Sequence, residues 1–411
     1  MKTSKNIFLW ALYDFANSLI SIVFFLYFAQ WIVIEKGLSD LAFNLTFTVS
    51  TIFLICTAPF LGVMLDKKLR RLTGLRWTTL ATALLYGACA WFAVSGSAIP
   101  ALIFFTLGMF AYQLTFTCYT PLINDIATPE RRGRISGYGI AANYLGQFVG
   151  LLFVLPFSKG AISWFGSSPR VETLFPAVIA FVLVSLPMLI WFKEDHKKPA
   201  ESSEIQFASS TKELIHKTKQ LFAVPGVGLF ILAYFFFNDA ILTASNNFPI
   251  FMQQVWGVSD TTKTYVLLGI ILTSAIGGLV SGFVADKFGH KRTLFYILVG
   301  WVFILPFVGF IQDFTLFVVA TTVMGLWFGS NWAVSRSVMS YLTPSGAHNL
   351  AFSYFNLIER ASSLAGPIVW GLVVTGLISM GSYRYRLATL AVTLFILLGL
   401  WCLTKVRSDR V

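Results

Sequence analysis

Gly282-Phe-Val-Ala-Asp286-Lys287-Phe-Gly289-His-Lys291-Arg292 is a short polar turn between two long apolar stretches, and the chain carries it twice. The earlier copy is Gly62-Val-Met-Leu-Asp66-Lys67-Lys68-Leu-Arg70-Arg71, with glycine, aspartate and basic residues at matching positions and Leu69 in the place of Gly289. A second echo sets Thr128-Pro129 against Thr343-Pro344. Each copy stands at the same point of its half of the chain, so the fold is read as two similar units. Internal duplication of this kind is common among membrane carriers.

The stretches between the turns are apolar. The 411 residues are 56% hydrophobic and 16% aromatic, with a mean hydropathy of +0.75. Only 12% are charged, about half the share found in a soluble domain. That composition cannot cover a soluble surface. The apolar content excludes a disordered chain, and four cysteines are too few for a disulfide scaffold. Residues 77–124 hold no charge and are too long for one crossing of about 20 residues, so Ser95-Gly96-Ser97 and Pro100 are read as a hairpin. Twelve spans are expected near 7–33, 41–65, 77–95, 99–124, 136–156, 173–192, 225–250, 264–284, 293–311, 314–338, 350–378 and 386–404. The expected fold class is an all-α membrane protein of twelve transmembrane helices in two pseudo-symmetric six-helix bundles. Residues 1–192 form the first bundle, 193–222 a polar cytoplasmic linker and 223–411 the second; Ser210–Gln220 is read as a short helix on the membrane face or a plain tether.

The net charge of +12 raises nucleic acid as a partner, and its distribution answers the question. With the N-terminus inside, 22 basic residues fall on inner segments and six on outer ones: Lys36, Lys159, Arg170, Lys263, Arg384 and Arg386. The bias is the positive-inside signature of a multi-pass protein with both termini cytoplasmic. The charge is topological, and no nucleic-acid partner is expected. The N-terminal stretch, interrupted by Asp14 and Asn17, does not read as a cleavable signal. Cys56, Cys89, Cys118 and Cys402 fall in expected helices and are read as apolar fillers.

The repeated turn resembles the loop signature of the major facilitator superfamily, Gly-x-x-x-Asp-(Arg/Lys)-x-Gly-x-(Arg/Lys)-(Arg/Lys). Trp10-Ala-Leu-Tyr13-Asp14-Phe15-Ala16-Asn17-Ser18 and Ala233-Tyr-Phe-Phe-Phe-Asn238-Asp239-Ala240 resemble the opening helices of the two halves in the autophagy-related vacuole effluxer group and its bacterial relatives, with Ala240 where a glycine is usual. Pro121-Leu-Ile-Asn124-Asp125 and Leu364-Ala365-Gly366-Pro367 are looser matches. The resemblance implies the major facilitator fold and export or exchange of small solutes, amino acids leaving a vacuole being the group's known example. In such a fold Asp66, Arg70, Asp286 and Arg292 of the repeated turns are expected to latch one access state by pairing with a helix end, with Asp125 and Arg336 as gate partners. A plain orientation signal is the alternative.

An ionisable residue in mid-membrane costs roughly 2.5–3.5 kcal/mol on insertion scales, so Asp14, Asp239, Glu359 and Arg360 must face a cavity or one another. Asp14, Asn17, Ser18 and Ser21 share one face of the first span, and Asp239, Thr243, Asn246 and Asn247 share one face of the seventh. Asn356 and Arg360 lie one turn apart in the eleventh. The stripes describe a central cleft. Asp14, Asn17, Asp239, Asn246, Arg360 and Glu359 are the candidates for substrate binding or proton coupling, the carboxylates for an amine or a proton and Arg360 for a carboxylate. A structural acid at Asp14 and mutual neutralisation of Glu359 and Arg360 stay open. Trp327, Trp332, Tyr112 and Tyr144 are read as packing residues. Gly146, Gly150, Gly278 and Gly282 are read as close-approach positions, and Pro59, Pro121, Pro249, Pro306 and Pro367 as kinks.

No His-Glu-x-x-His, phosphate loop, nucleophile elbow or Cys/His cluster is present in the sequence, so an enzyme is not expected, nor any cofactor or metal. The reading is a monomeric secondary active transporter of a small solute, an amino acid by preference, working by alternating access with protons as the coupling ion. Its location is the bacterial inner or plasma membrane, or an organelle membrane, with the lipid bilayer as its other partner. A proton-coupled carrier of another metabolite or drug-like cation is the alternative, and a non-transporting solute receptor a further one.

Overall fold

The computed structural model describes residues 2–67, 70–126, 132–194, 218–344 and 348–406. Among these residues there is no strand. Backbone amides and carbonyls have no water to bond in hydrocarbon, and the α-helix satisfies them within one segment. α1 (Lys2–Val23) runs on through two π-helical turns, Phe24–Phe28 and Trp31–Glu35. α2 (Asp40–Lys67), α3 (Arg71–Val94), α4 (Ala98–Tyr119), α5 (Arg132–Ser158) and α6 (Leu174–Trp191) follow. The second series is α7 (Val227–Trp256), α8 (Asp260–Phe288), α9 (His290–Phe310), α10 (Phe314–Leu342), α11 (His348–Ala361), α12 (Gly366–Gly376) and α13 (Tyr383–Lys405). Among the described residues twelve helical spans are long and apolar enough to cross a bilayer, α11 and α12 together making the eleventh. The expected short helix over Ser210–Gln220 lies outside the described residues as far as 217; residues 218–223 are helical.

The turns match their sequence signals. Ser95-Gly96-Ser97 closes α3 onto α4, with Gly96 at φ 77° and the Ser97 amide donating to the Phe92 carbonyl at 2.9 Å. Gly289 of the repeated turn sits between α8 and α9 at φ 93°, a left-handed conformation that costs a residue without a Cβ nothing. Its counterpart Leu69 lies outside the described residues.

The chain divides into two compact units, 1–199 with 246–271 and 200–245 with 272–411. In the first, α5 lies directly on α1. A Cβ on Gly146 would come 2.2 Å from the Phe15 carbonyl oxygen, and one on Gly150 2.9 Å from that of Leu19. The ends of α7 and α8 that flank their shared turn belong to this unit. In the second unit the tight crossing is α8 on α10. There the close positions are Gly277, 2.1 Å from the Leu326 carbonyl oxygen, and Gly329, 1.8 Å from that of Ser274. Of the two glycines read from the sequence as close-approach positions, Gly278 lies at this crossing, where a Cβ on it would be 3.4 Å from the Gly329 carbonyl oxygen, and Gly282 has nothing within 4 Å.

These spacings fix an outcome. Gly146→Val places a side chain on the backbone of α1 and is expected to cost about 1–3 kcal/mol, the range for overpacking, whereas Gly282→Ala is expected to be neutral. The thermal midpoint of the detergent-solubilised protein, followed by loss of the monodisperse peak on size exclusion, reads both.

Candidate functional site

Span 1 places one carboxylate within reach of a neighbouring helix. Asp14 is half-buried, and Nδ2 of Asn143 on α5 donates to its Oδ1 at 3.5 Å, the long end of hydrogen bonding. Gln147 Nε2 donates to Asn143 Oδ1 at 2.8 Å, extending the polar row along α5. Gly139 makes the approach possible, since a Cβ there would meet the Trp10 ring at 2.7 Å and Asp14 Oδ2 at 3.2 Å. Trp10 stacks on Tyr119, centroids 4.9 Å apart and planes 9° from parallel, and the Tyr119 hydroxyl donates to the Trp10 carbonyl at 2.8 Å. One carboxylate, two carboxamides and an aromatic pair therefore adjoin one another. Asn143 and Gln147 escaped the sequence reading. The signal was present, because Gly139, Asn143, Gly146 and Gly150 follow helical spacing and so share a face. Asn17 and Ser18, one turn on from Asp14, are wholly buried.

The stripe expected on the seventh span is divided between two neighbours. Asp239 is fully buried, and its Oδ2 accepts the amides of Ala365 at 3.1 Å and Gly366 at 2.8 Å. Thr243 adds a hydroxyl at 3.5 Å. Those amides belong to the interruption between α11 and α12. Pro367 stands in the first turn of α12, a position that proline tolerates because the N–H it lacks would have no helical partner there. Asn247 instead exchanges two carboxamide bonds with Asn44 of α2, at 2.9 and 2.8 Å, and Asn246 is buried beside it in sequence.

On α11, Arg360 and Asn356 are half-buried one turn apart. Glu359 Oε1 lies 3.6 Å from Nη2 of Arg336 on α10, so the partner of Glu359 is the arginine of the tenth span. Asn238 Oδ1 accepts from Trp332 Nε1 at 3.1 Å, which gives that tryptophan an orienting role in place of pure packing. Of the other gating candidates, Asp286 is 74% exposed with His290 Nε2 at 3.6 Å, and Arg70 and Arg292 are exposed. Asp125 is half-buried in the turn Ile123–Ile126. The Asp66 side chain lies outside what the structure describes.

The charged group that sequence reading missed altogether lies where α1 ends and α8 begins. Lys263, assigned to a loop, is in α8 and wholly buried. Its Nζ donates to Asp260 Oδ1 at 2.6 Å, Gln253 Oε1 at 2.5 Å and Gln30 Oε1 at 3.0 Å. Three acceptors for three protons satisfy the ammonium. Asp260 also receives Arg170 Nε at 2.6 Å and Nη2 at 3.2 Å, and Arg170 Nη1 reaches Glu35 Oε1 at 3.1 Å. Glu172 holds Arg170's turn in place by accepting the amides of Trp164, Phe165 and Ser167. This network, with Asn44–Asn247 and a Tyr27–Thr264 hydroxyl bond at 3.0 Å, ties the ends of α7 and α8 to the first unit. Arg386 was likewise placed in a loop. It is buried in α13 and caps α9 by donating to the carbonyls of Gly309 and Ile311 at 2.6 and 2.8 Å.

Comparison with known proteins gives a consistent answer. Residues 19–411 match the family described as vacuole effluxer Atg22 like. The MFS-type transporter YxiO of Bacillus subtilis, itself uncharacterised, is 22% identical over 375 residues, 88% of this chain and 86% of that protein. Autophagy-related protein 22 of Saccharomyces cerevisiae (strain S288c) is 25% identical over 291 residues, 62% of this chain, and the match spans 53% of the yeast protein. Among solved structures, a bacterial homologue of the human lysosomal transporter Spinster aligns with a TM-score of 0.77 at 14% identity over 100% of this chain and 98% of that one. A D-xylose–proton symporter aligns at 0.69 and 14% over 96% of each chain.

Removing one partner of a buried ion pair leaves the other uncompensated, at a cost of about 3–5 kcal/mol. Lys263→Met is therefore expected to lower the thermal midpoint strongly. Lys263→Met with Asp260→Asn is expected to recover part of the loss, so the double-mutant cycle should give a coupling of about 1–3 kcal/mol.

Proposed function

The chain belongs to the vacuole effluxer Atg22-like family and is a multi-pass transporter of the major facilitator type, and on that premise we propose that it carries an amino acid by alternating access, with protons as the coupling ion. The observation that carries the reading is Asp14. It is a carboxylate within a membrane span that stays half-exposed and is flanked by Asn143, Gln147 and Trp10. A carboxylate with a carboxamide beside it suits an ammonium group, and an aromatic face nearby adds a cation–π contribution.

Arg360 is half-buried on α11, and its neighbour Glu359 is already engaged by Arg336. In this proposal Arg360 takes the solute carboxylate through its fork of donors. Asn17 and Asn246 are the buried polar groups that set the neighbourhood. Asp66, Arg70, Asp125, Asp286, Arg292 and Arg336 keep the gating role proposed for their positions. The proton role falls to the acids in the spans, where an ionisable residue is a functional candidate by default. The description of the family as an effluxer supports outward or out-of-compartment movement of the solute. The positive-inside bias supports both termini in the cytoplasm and, for a bacterial source, the inner membrane, with the protein working there as a monomer.

Counterflow in proteoliposomes with a labelled mixture of the twenty amino acids, with and without an imposed pH gradient, tests this. Accumulation is expected in the wild type and is expected to fall at least ten-fold in Asp14→Asn and in Arg360→Ala. Retained counterflow in both variants would remove the site assignment. Gradient-independent exchange would keep the carrier and remove the proton, and a wild type without amino-acid flux would move the reading to a cation of another class.

A further inference from the structure

We infer that Asn238-Asp239 is a clamp on the interruption of the eleventh span, so that Asp239 is a positioning residue acting through α11 and not itself a solute contact. The inference builds on the reading of Arg360 as a solute contact, and its first test needs no solute.

The break exposes two kinds of backbone group, and consecutive residues of α7 take one each. The last helical bond of α11 is the Ser362 amide to the Ile358 carbonyl, 2.8 Å, so the Glu359 carbonyl is the first that the helix releases. Asn238 Nδ2 donates to it at 3.4 Å. On the other side α12 begins at Gly366, and the Ala365 and Gly366 amides that head it go to Asp239 Oδ2. The helix end rich in carbonyls meets an amide donor, and the end rich in amides meets a carboxylate. Each pairing has the sign that the backbone dipoles prefer. Trp332 fixes which way Asn238 points, because its Nε1 occupies Asn238 Oδ1 and leaves Nδ2 for the Glu359 carbonyl.

The fit is close enough to be selective. A Cβ at position 366 would lie 2.3 Å from Thr243 Oγ1, 2.8 Å from Asp239 Oδ1 and 3.1 Å from the Asp239 carbonyl oxygen. No side chain at 366 is compatible with the carboxylate where it is. With Oδ2 bonded to two amides, Oδ1 near Thr243 and no exposed surface, Asp239 offers a solute nothing. What it controls is the last turn of α11, which carries Glu359 and Arg360 and is held from the same dipeptide. Asp14 holds the corresponding place in the first span, and the helix beside it, α5, is unbroken from Arg132 to Ser158. Both aspartates stand in the first helix of their half, and only Asp239 faces a broken neighbour.

Hydrogen–deuterium exchange of the full chain in nanodiscs tests the clamp. In Asp239→Asn and Asn238→Ala, peptides covering residues 358–370 are expected to exchange about ten-fold faster than in wild type, with other spans unchanged. Asp14→Asn removes the same charge from the equivalent position and is expected to leave that segment at the wild-type rate. In counterflow with the labelled amino-acid mixture, Asp239→Asn is expected to raise the half-saturating concentration about ten-fold with the maximal rate kept, the signature of a displaced contact. Wild-type exchange at 358–370 in Asp239→Asn overturns the inference, as does an equal rise in Asp14→Asn. Should Asp239→Asn not yield monodisperse protein, Gly366→Ala presses on the same carboxylate from the other side, and unchanged exchange in that variant overturns the inference equally. Absence of all amino-acid flux would count against the solute reading alone, because the exchange result stands without it.

Discussion

A backbone amide that leaves a helix inside a membrane must find an acceptor within the protein, because hydrocarbon supplies none and each unmet group costs several kcal/mol. The interruption of the eleventh span meets that requirement with a side-chain carboxylate, and carboxylates also take backbone amides in two turns outside the apolar stretches. Asp239 takes the Ala365 and Gly366 amides at the interruption of the eleventh span. Glu172 takes those of Trp164, Phe165 and Ser167 in the turn before α6. Glu194 takes those of Arg71 and Leu72 at the head of α3. The acid in each case comes from another segment and brings a negative charge to a run of N–H dipoles. It acts as a cap supplied from outside the helix. A chain with 18 acidic residues thus commits at least three to backbone.

The same requirement accounts for the buried charges that hold the fold. Lys263 is enclosed by three oxygens, one from an acid and two from glutamines, and its protons are all placed. Two of its three acceptors come from segments distant along the chain or across a turn, so it functions as a bolt between α1, α7 and α8. The π-helical turns at the end of α1 contribute, since Gln30 falls between them and a wider turn shifts the register of the residues beyond it. Asp14 and Arg360 differ from this pattern. Both are half-buried ionisable groups within spans, which makes them the candidates of the proposed function.

The crossings were legible in the sequence because length and hydropathy decide them without reference to anything distant. Twelve were expected and twelve are present, most of them longer at their ends than the apolar stretch. The extra turns are polar, and Lys263 and Arg386 show why such residues misled: a cation at a helix end reads as loop until its acceptors are known. The periodicity also placed Asp14 with Asn17, and Asp239 with Thr243, on single faces. It could not say which neighbour each face would meet. Gly366 is 127 residues from Asp239 and Asn143 is 129 from Asp14. Those pairings depend on the register of helices packed side by side, which no local pattern encodes. Asn247 shows the limit: it shares a stripe with Asp239 yet gives its carboxamide to Asn44 of α2.

Pro367 is where these requirements meet. Within the sequence it was one kink among several, and a kink alone implies no function. In the folded chain it sits in the first turn of α12, where its missing N–H costs no helical bond, and the break just before it leaves the Ala365 and Gly366 amides and the Glu359 carbonyl in need of partners. Asn238 and Asp239 supply them. The helix beside Asp14, α5, is unbroken from Arg132 to Ser158, so the backbone of the neighbouring helix makes different demands on the two aspartates.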